Sequence, residues 1–319
     1  MRRLRIRLNT GFAGPHAGFA LAEADGHLAA QGLAVDWIGG NGAAAVIEDM
    51  SDATCDAAVG DLCALIARLG RRQEALPPKA VFILFNRTPL TIAVRADGPV
   101  RHPRDLSGLR VSGHARDAAV LCFPALAWAV GIDPAQVAIL PSAAPLGEQV
   151  RAMIQDDAAD GVFGFVNTII ASMSGAGIGL EHATRFLEYA DHLPDLYGNA
   201  LVVSGRLVAA EPDVVRGLVH AVTAGTLAAI ADPDRGVMAV KARNPGIDLA
   251  IETRRWRGTI AKEMAHPEAA RIGLGDADPQ RLAGGIAALA SSLALARVPT
   301  PAEVFSAVFL PPPRDRGAG

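Results

Sequence analysis

The sequence predicts an α/β protein of two lobes that close on one another as a clamshell, each lobe a mostly parallel sheet flanked by helices. Three observations carry this. Short apolar runs of strand character alternate with helix-length stretches up to about residue 85, and again between about 109 and 165. Extended segments near 90–97 and 196–204 join the two sets. Beyond 204 the chain reads as almost wholly helical. A first lobe interrupted by a second, then completed by C-terminal helices, sets the lobes about a hinge and suits a ligand held in the cleft. The expected boundaries are 1–93 for the first part of lobe I, 94–198 for lobe II, and 199–319 for the completion of lobe I with the C-terminal helices.

Each element follows from local pattern. Leu4, Ile6 and Leu8 alternate with arginines, a strand's period of two, over 3–9. A helix over 16–30 enters after Pro15 and stops at Gln31 and Gly32. A strand over 34–38, a flexible Gly39-Gly40-Asn41-Gly42 turn and a helix over 43–50 come next. A short buried strand over 57–59, a helix over 61–69 and an apolar strand over 80–85 complete the first set. The segment 90–95 then leaves it. In the second set, strands over 109–111, 138–140 and 161–165 alternate with helices over 117–130 and 146–155. The segment 199–203 is extended again. Glu211 and Pro212 open a long helix to 231, with proline in a tolerated first-turn position. Helices over 234–243, 251–265 and 279–295 follow, and the Pro- and Arg-rich tail 311–319 is expected to fray.

Composition bounds the function. The 319 residues are 50% apolar but only 5% aromatic, so the core is aliphatic. Thirty basic against thirty-three acidic residues give a net charge of −3, without the basic excess of a general nucleic-acid binder. Cys55, Cys63 and Cys122 fit no CxxC or Cys/His metal spacing and read as buried free thiols, so neither metal nor cofactor is expected. No run of about 18 uncharged apolar residues marks a membrane span. Arg2, Arg3, Arg5 and Arg7 resemble the basic start of a signal peptide, but no apolar stretch follows them. The expectation is a cytoplasmic protein, or a periplasmic one whose signal has been removed.

Five stretches carry a resemblance. These are 15–37, the DLSGLRV run from Asp105 to Val111, 150–167, the pair LVV (from Leu201) and EPDVV (from Glu211), and 304–311 ending Phe309-Leu310-Pro311. In this order they resemble the type II periplasmic-binding-protein-like group. That group serves ABC importers of pyrimidine thiamine precursors, alkanesulfonates, taurine and nitrate. The eukaryotic thiamine-pyrimidine synthase and an aromatic sulfinate desulfinase share its fold. The resemblance implies a type II periplasmic-binding-protein-like clamshell, a small-molecule ligand and, if the chain is exported, an importer permease as partner. A monomer is expected.

In open α/β lobes, ligands gather at the carboxyl ends of strands. After the first strand this selects Asn9, Thr10, Phe12 and His16, where side-chain hydrogen bonds and free N–H groups of a helix start meet. The resemblance adds that this loop contributes to the ligand cleft. Gly40 and Asn41 lie in a loop whose backbone can approach a ligand closely. At the next strand end are Gly60 and Asp61, the latter either a ligand acceptor or a helix cap. Arg87 and Thr88 end the fourth strand, and a guanidinium there can clamp a carboxylate, sulfonate or phosphate. In lobe II, Ser112 and His114 precede a helix, and Phe165 can stack on a flat ring. Asn167 stands where pyrimidine-binding relatives carry an acidic residue, which argues against an aminopyrimidine ligand. Tyr197 and Asn199 mark the return crossing. The arginines around Trp256 read as a solvated helix face.

No GxSxG, HExxH or metal cluster is present, and Lys79, Lys241 and Lys262 lie away from strand ends. The synthases resembled here need a lysine and a nearby histidine around the third strand, where this chain has Gly60 and Ala64. The desulfinase carries a cysteine in the loop after the first strand, absent from 9–15. The leading expectation is a solute-binding protein delivering a small polar, flat or anionic ligand to an importer. A cytoplasmic enzyme on the same fold is the alternative.

Overall fold

The computed structural model describes residues 1–177 and 183–317. Ten strands lie among them: β1 Arg2–Arg7, β2 Leu33–Ile38, β3 Ala57–Asp61, β4 Lys79–Ile83, β5 Leu90–Arg95, β6 Arg110–Gly113, β7 Ala138–Pro141, β8 Gly161–Phe165, β9 Thr184–Glu188 and β10 Asn199–Val203. They form two five-stranded sheets, ordered β2-β1-β3-β10-β4 and β7-β6-β8-β5-β9. Each sheet is parallel except for one strand. In lobe I the reversed strand is β10, antiparallel to both β3 and β4; in lobe II it is β5, antiparallel to β8 and β9. These are the two strands by which the chain crosses between lobes, so each enters its sheet from the hinge side. Positions 93 and 94 lie inside β5, which moves the first lobe boundary back to the 84–89 crossing.

The helices are α1 Ala17–Ala24, α2 His27–Ala30, α3 Ala43–Glu48, α4 Leu62–Arg71, α5 Ala118–Val130, α6 Leu146–Gln155, α7 Val166–Gly175, α8 Gly205–Ala210, α9 Pro212–Ala231, α10 Pro233–Arg243, α11 Leu249–Gly258, α12 Glu268–Ile272, α13 Pro279–Ser292 and α14 Pro301–Val304. The single helix expected over 16–30 is broken at Gly26, whose φ of 75° is left-handed. The helix expected over 251–265 ends at Gly258 and continues as a π-turn over Thr259–Glu263.

By length and composition α9 alone, among the described residues, is long and apolar enough to cross a membrane. It is instead a core helix: Val215, Leu218, Val219 and Val222 are buried in the same apolar cluster as Phe19 and Leu21 of α1. The two helices cross at small residues, and a methyl group on Gly225 would sit 2.2 Å from the Gly18 carbonyl oxygen. The tail does not fray over its described part. A short helical turn, Pro313–Arg316, seats Arg316 in the protein, where it pairs with Asp276 at 3.1 Å and donates to the Leu274 carbonyl. Residues 318 and 319 lie outside the described part.

Candidate functional site

The C-terminal ends of the parallel strands of both sheets face one another across a cleft, and it holds a cavity of about 270 Å³. Lobe I contributes Asn9 and Thr10 after β1, and Asn41 to Ala43 at the start of α3. Lobe II contributes His114, Arg116 and Asp117 from the loop between β6 and α5, with Phe165 and Thr168 at the start of α7. Arg255 of α11 closes the inner end. The wall therefore mixes amide, hydroxyl and guanidinium groups with one aromatic face, a composition suited to a polar, flat organic molecule.

His16 sets the orientation of Asn9. Its Nδ1 accepts from the Ala13 N–H at 3.1 Å, and its Nε2 lies 2.7 Å from Asn9 Oδ1. Burial, reinforced by the charge of Arg255, lowers the ring's pKa to about 3. The ring is therefore neutral and carries its proton on Nε2, donating to Asn9 Oδ1. That leaves the Asn9 amide N–H groups as the donors on its cleft side. His16 is a positioning residue and lines only a small recess behind the cleft.

Several expected residues stand elsewhere. Phe12 is buried edge-on against Trp37, with Arg243 over its ring at 5.5 Å, and serves the lobe I core. Phe163 packs on Phe123. Gly40 and Gly60 are packing positions: a methyl group would meet the Leu8 carbonyl oxygen at 1.9 Å and Ile47 at 2.4 Å. Asp61 is fully buried and caps α4 by accepting from the Ala64 N–H. Arg87 is held by Glu188 and Asp191, and Glu188 is also bound by Lys262, so its charge is spent on a network at the hinge. Thr88 is buried, 3.5 Å from the Leu90 N–H. The Ser112 hydroxyl donates to Gln149, whose amide stands 3.4 Å from the His114 ring; Ser112 thus reaches the cleft only through these two. Tyr197 donates to Glu268 and accepts from the Asp278 N–H, away from the cleft.

Asn167 and Asn199 take a different position, one layer deeper. Asn167 Nδ2 donates to Glu263 at 3.0 Å, and Asn199 lines the recess. The carboxyl group of Glu263 stands beside Asn167, and burial pushes it toward its protonated form. A methyl group on Gly258 would meet Asn167 Oδ1 at 2.3 Å, so the glycine makes room for this pair.

Arg255 is the largest departure from the sequence reading. The arginines around Trp256 do not form one solvated face: Trp256 is buried and donates to the Ala229 carbonyl, while Arg255 donates to Thr168 of lobe II at 2.9 Å. The sequence signal was available, because Glu252, Arg255, Trp256, Thr259 and Glu263 recur at helical spacing on one face. Arg116 bridges the lobes at the cleft mouth, with a two-pronged pair to Asp49 at 2.7 and 3.0 Å. Among the described residues, Asp61, Cys63 and Cys122 are the group close enough to share a metal ion. Burial pushes Asp61 up to about 7, and both thiols are held in their protonated forms, Cys63 by its contact with Cys122 together with burial, so an ion would have to displace protons. None of the three cysteines or three lysines lines the cleft.

Comparison with known proteins agrees with this architecture. The riboflavin-binding protein RibY of Chloroflexus aurantiacus is 27% identical over 165 residues, covering 51% of this chain and 44% of that protein. The chain thus spans under half the length of that curated relative. The alkanesulfonate-binding protein SsuA of Xanthomonas axonopodis pv. citri, solved with MOPS bound, superposes with a TM-score of 0.69 at 15% identity, over 97% of this chain and 98% of that one. The desulfurization enzyme DSZB superposes with a TM-score of 0.61 at 14% identity, over 96% and 97%. At these identities the superpositions establish the periplasmic-binding-protein fold. Residues 14–236, which carry β2 to β10, the whole of lobe II and the long helix α9, match the family model described as NMT1/THI5 like, and the chain belongs to that family.

Proposed function

We propose that the protein is a solute-binding protein that captures a small flat or anionic organic molecule between its lobes and delivers it to the permease of an ABC importer. The observation that carries this reading is the cleft. Both lobes supply polar groups to one cavity, and Arg116 and Asp49 meet across its mouth. A ligand touching both walls is bound more tightly by the closed form than by the open one, and that difference is what a permease can sense. The names of the relatives agree with it: a riboflavin-binding protein in sequence and an alkanesulfonate-binding protein in fold. The reading also implies a periplasmic site of action and a monomer.

The fold is shared with a desulfurization enzyme, so catalysis is the second reading. It has less support, because the groups that line the cleft include no cysteine or lysine nucleophile among the described residues.

A thermal-shift panel of flavins, pyrimidines, alkanesulfonates, taurine, nitrate and aromatic carboxylates tests the proposal. A cleft ligand at about 100 times its Kd stabilises the fold by about 2.7 kcal/mol, readily seen as a raised Tm. One responding class, returned chemically unchanged, is the expected result. A ligand recovered as a new product would replace transport by catalysis.

A further inference from the structure

Behind the cleft lies a recess of about 10 Å³, the size of roughly one water molecule, which shares Asn9, Phe165, Thr168 and Arg255 with the main cavity. Three buried polar atoms that complete no well-formed hydrogen bond belong to residues lining it: Asn199 Oδ1, Arg255 Nε and Thr259 Oγ1, the last close enough to the Glu263 carboxyl group to favour its charged form. Asn199 and Thr259 are 2% and 0% exposed. Unpaired polar atoms at such depth are costly in a protein interior, and three of them on one small space describe a site built for an occupant. The backbone agrees, since Thr259 and Glu263 sit on the π-turn that extends α11.

The chemistry of the three atoms is mixed. The Arg255 N–H can only donate, Asn199 Oδ1 can only accept, and the Thr259 hydroxyl does either. Glu263 adds a carboxyl group to the same wall. An acceptor-only anion such as a sulfonate or carboxylate would satisfy Arg255 but leave Asn199 Oδ1 unpaired. The charge of Arg255 is also already answered by Glu252 at 3.6 Å. A ligand edge that presents a donor flanked by acceptors satisfies the set.

Taking the cleft as the ligand site, we infer that this recess reads the ligand's inner edge and selects flat rings bearing an imide or similar donor-and-acceptor edge over acceptor-only anions. The ring lies against Phe165, an edge N–H donates to Asn199, and the neighbouring carbonyl oxygens accept from Arg255 and Thr259. Asn199, Thr259 and Arg255 are then specificity residues, and the edge displaces whatever water fills the recess.

The test uses the full chain and three probes: lumiflavin, whose ring carries an imide; 3-methyllumiflavin, in which that N–H is blocked; and MOPS, a sulfonate. Lumiflavin is expected to bind about tenfold more tightly than either of the others, the effect of about one buried hydrogen bond. Asn199→Leu should weaken lumiflavin about tenfold while changing 3-methyllumiflavin little, whereas Thr259→Val should weaken both flavins, because both keep the carbonyl oxygen that accepts from it. Phe165→Ala reports on the cleft itself and should weaken both flavins together. MOPS binding as tightly as lumiflavin, or both recess variants keeping wild-type lumiflavin affinity while Phe165→Ala weakens it, would overturn the recess and leave the cleft standing. Failure of all three probes to bind would overturn the recess reading, whereas the cleft reading falls only if the whole thermal-shift panel is silent.

Discussion

Two buried side chains of lobe I, His16 and Asp61, are held uncharged and leave opposite marks on stability. The folded-state pKa of His16 is depressed from 6.5 to about 3, so its contribution is complete above pH 6.5 and is lost as pH falls toward 3. That of Asp61 is raised from 3.8 to about 7, so its contribution is complete below 3.8 and is lost as pH rises through 7. Mild acid therefore weakens one and restores the other. Asp61→Asn keeps the acceptor for the Ala64 N–H but removes the titration. The variant should gain most over wild type at pH 7, and its advantage should shrink by about 2 kcal/mol at pH 5. Urea unfolding at the two pH values measures this, and an equal difference at both would show that Asp61 does not carry a raised pKa. At this scale the sequence placed Asn9, Thr10, Asn41, His114 and Phe165 at strand ends, where the cavity has them. It misplaced Arg87 and Tyr197, because nothing local records that Glu188 or Glu268 lies opposite them.

At the scale of elements, the contact between α1 and α9 decides whether lobe I can close over its sheet. Gly18 and Gly225 bring the helix backbones together, and a methyl group on Gly225 would also lie 2.5 Å from the Ala22 nitrogen. Backbone cannot yield as a flexible side chain can, so Gly225→Ala should lower stability by about 1–3 kcal/mol, the usual range for overpacking, despite alanine's better helix propensity. A chemical-denaturation midpoint at or above wild type would mean that the helices slide apart freely. Most elements were legible because they announce themselves locally: β8, β10 and α6 have the extents their apolar runs and turn residues indicate. β9 was missed because TRFLE is an edge strand with charged residues, and its place is fixed only by pairing with β5. The docking of the tail was likewise invisible, since Arg316 acquires its meaning from Asp276, far away in sequence.

For the whole molecule the question is what holds the lobes closed. α11 and its π-turn lie between them, bonding to lobe II through Arg255 with Thr168 and Glu263 with Asn167. The mouth is held by Arg116 and Asp49, whose side chains are 46% and 38% exposed. A pair so accessible to solvent contributes under about 1 kcal/mol, which corresponds to no more than about a fivefold bias toward closure. Arg116 also lines the cavity, so it has two possible duties, and Asp49 separates them because it is no part of the lining. If the arginine is a latch, Arg116→Ala and Asp49→Ala should weaken a cleft ligand equally, by less than about fivefold, and more salt should erase the difference from wild type. Small-angle scattering should then show both free variants more extended than wild type and all three proteins equally compact once saturated with ligand. If the arginine instead holds the ligand, only Arg116→Ala will lose affinity, by tenfold or more and with little effect on the free protein's scattering. The geometry favours the latch, because both terminal nitrogens of Arg116 are already engaged by Asp49, and one of them by the Ala45 carbonyl as well.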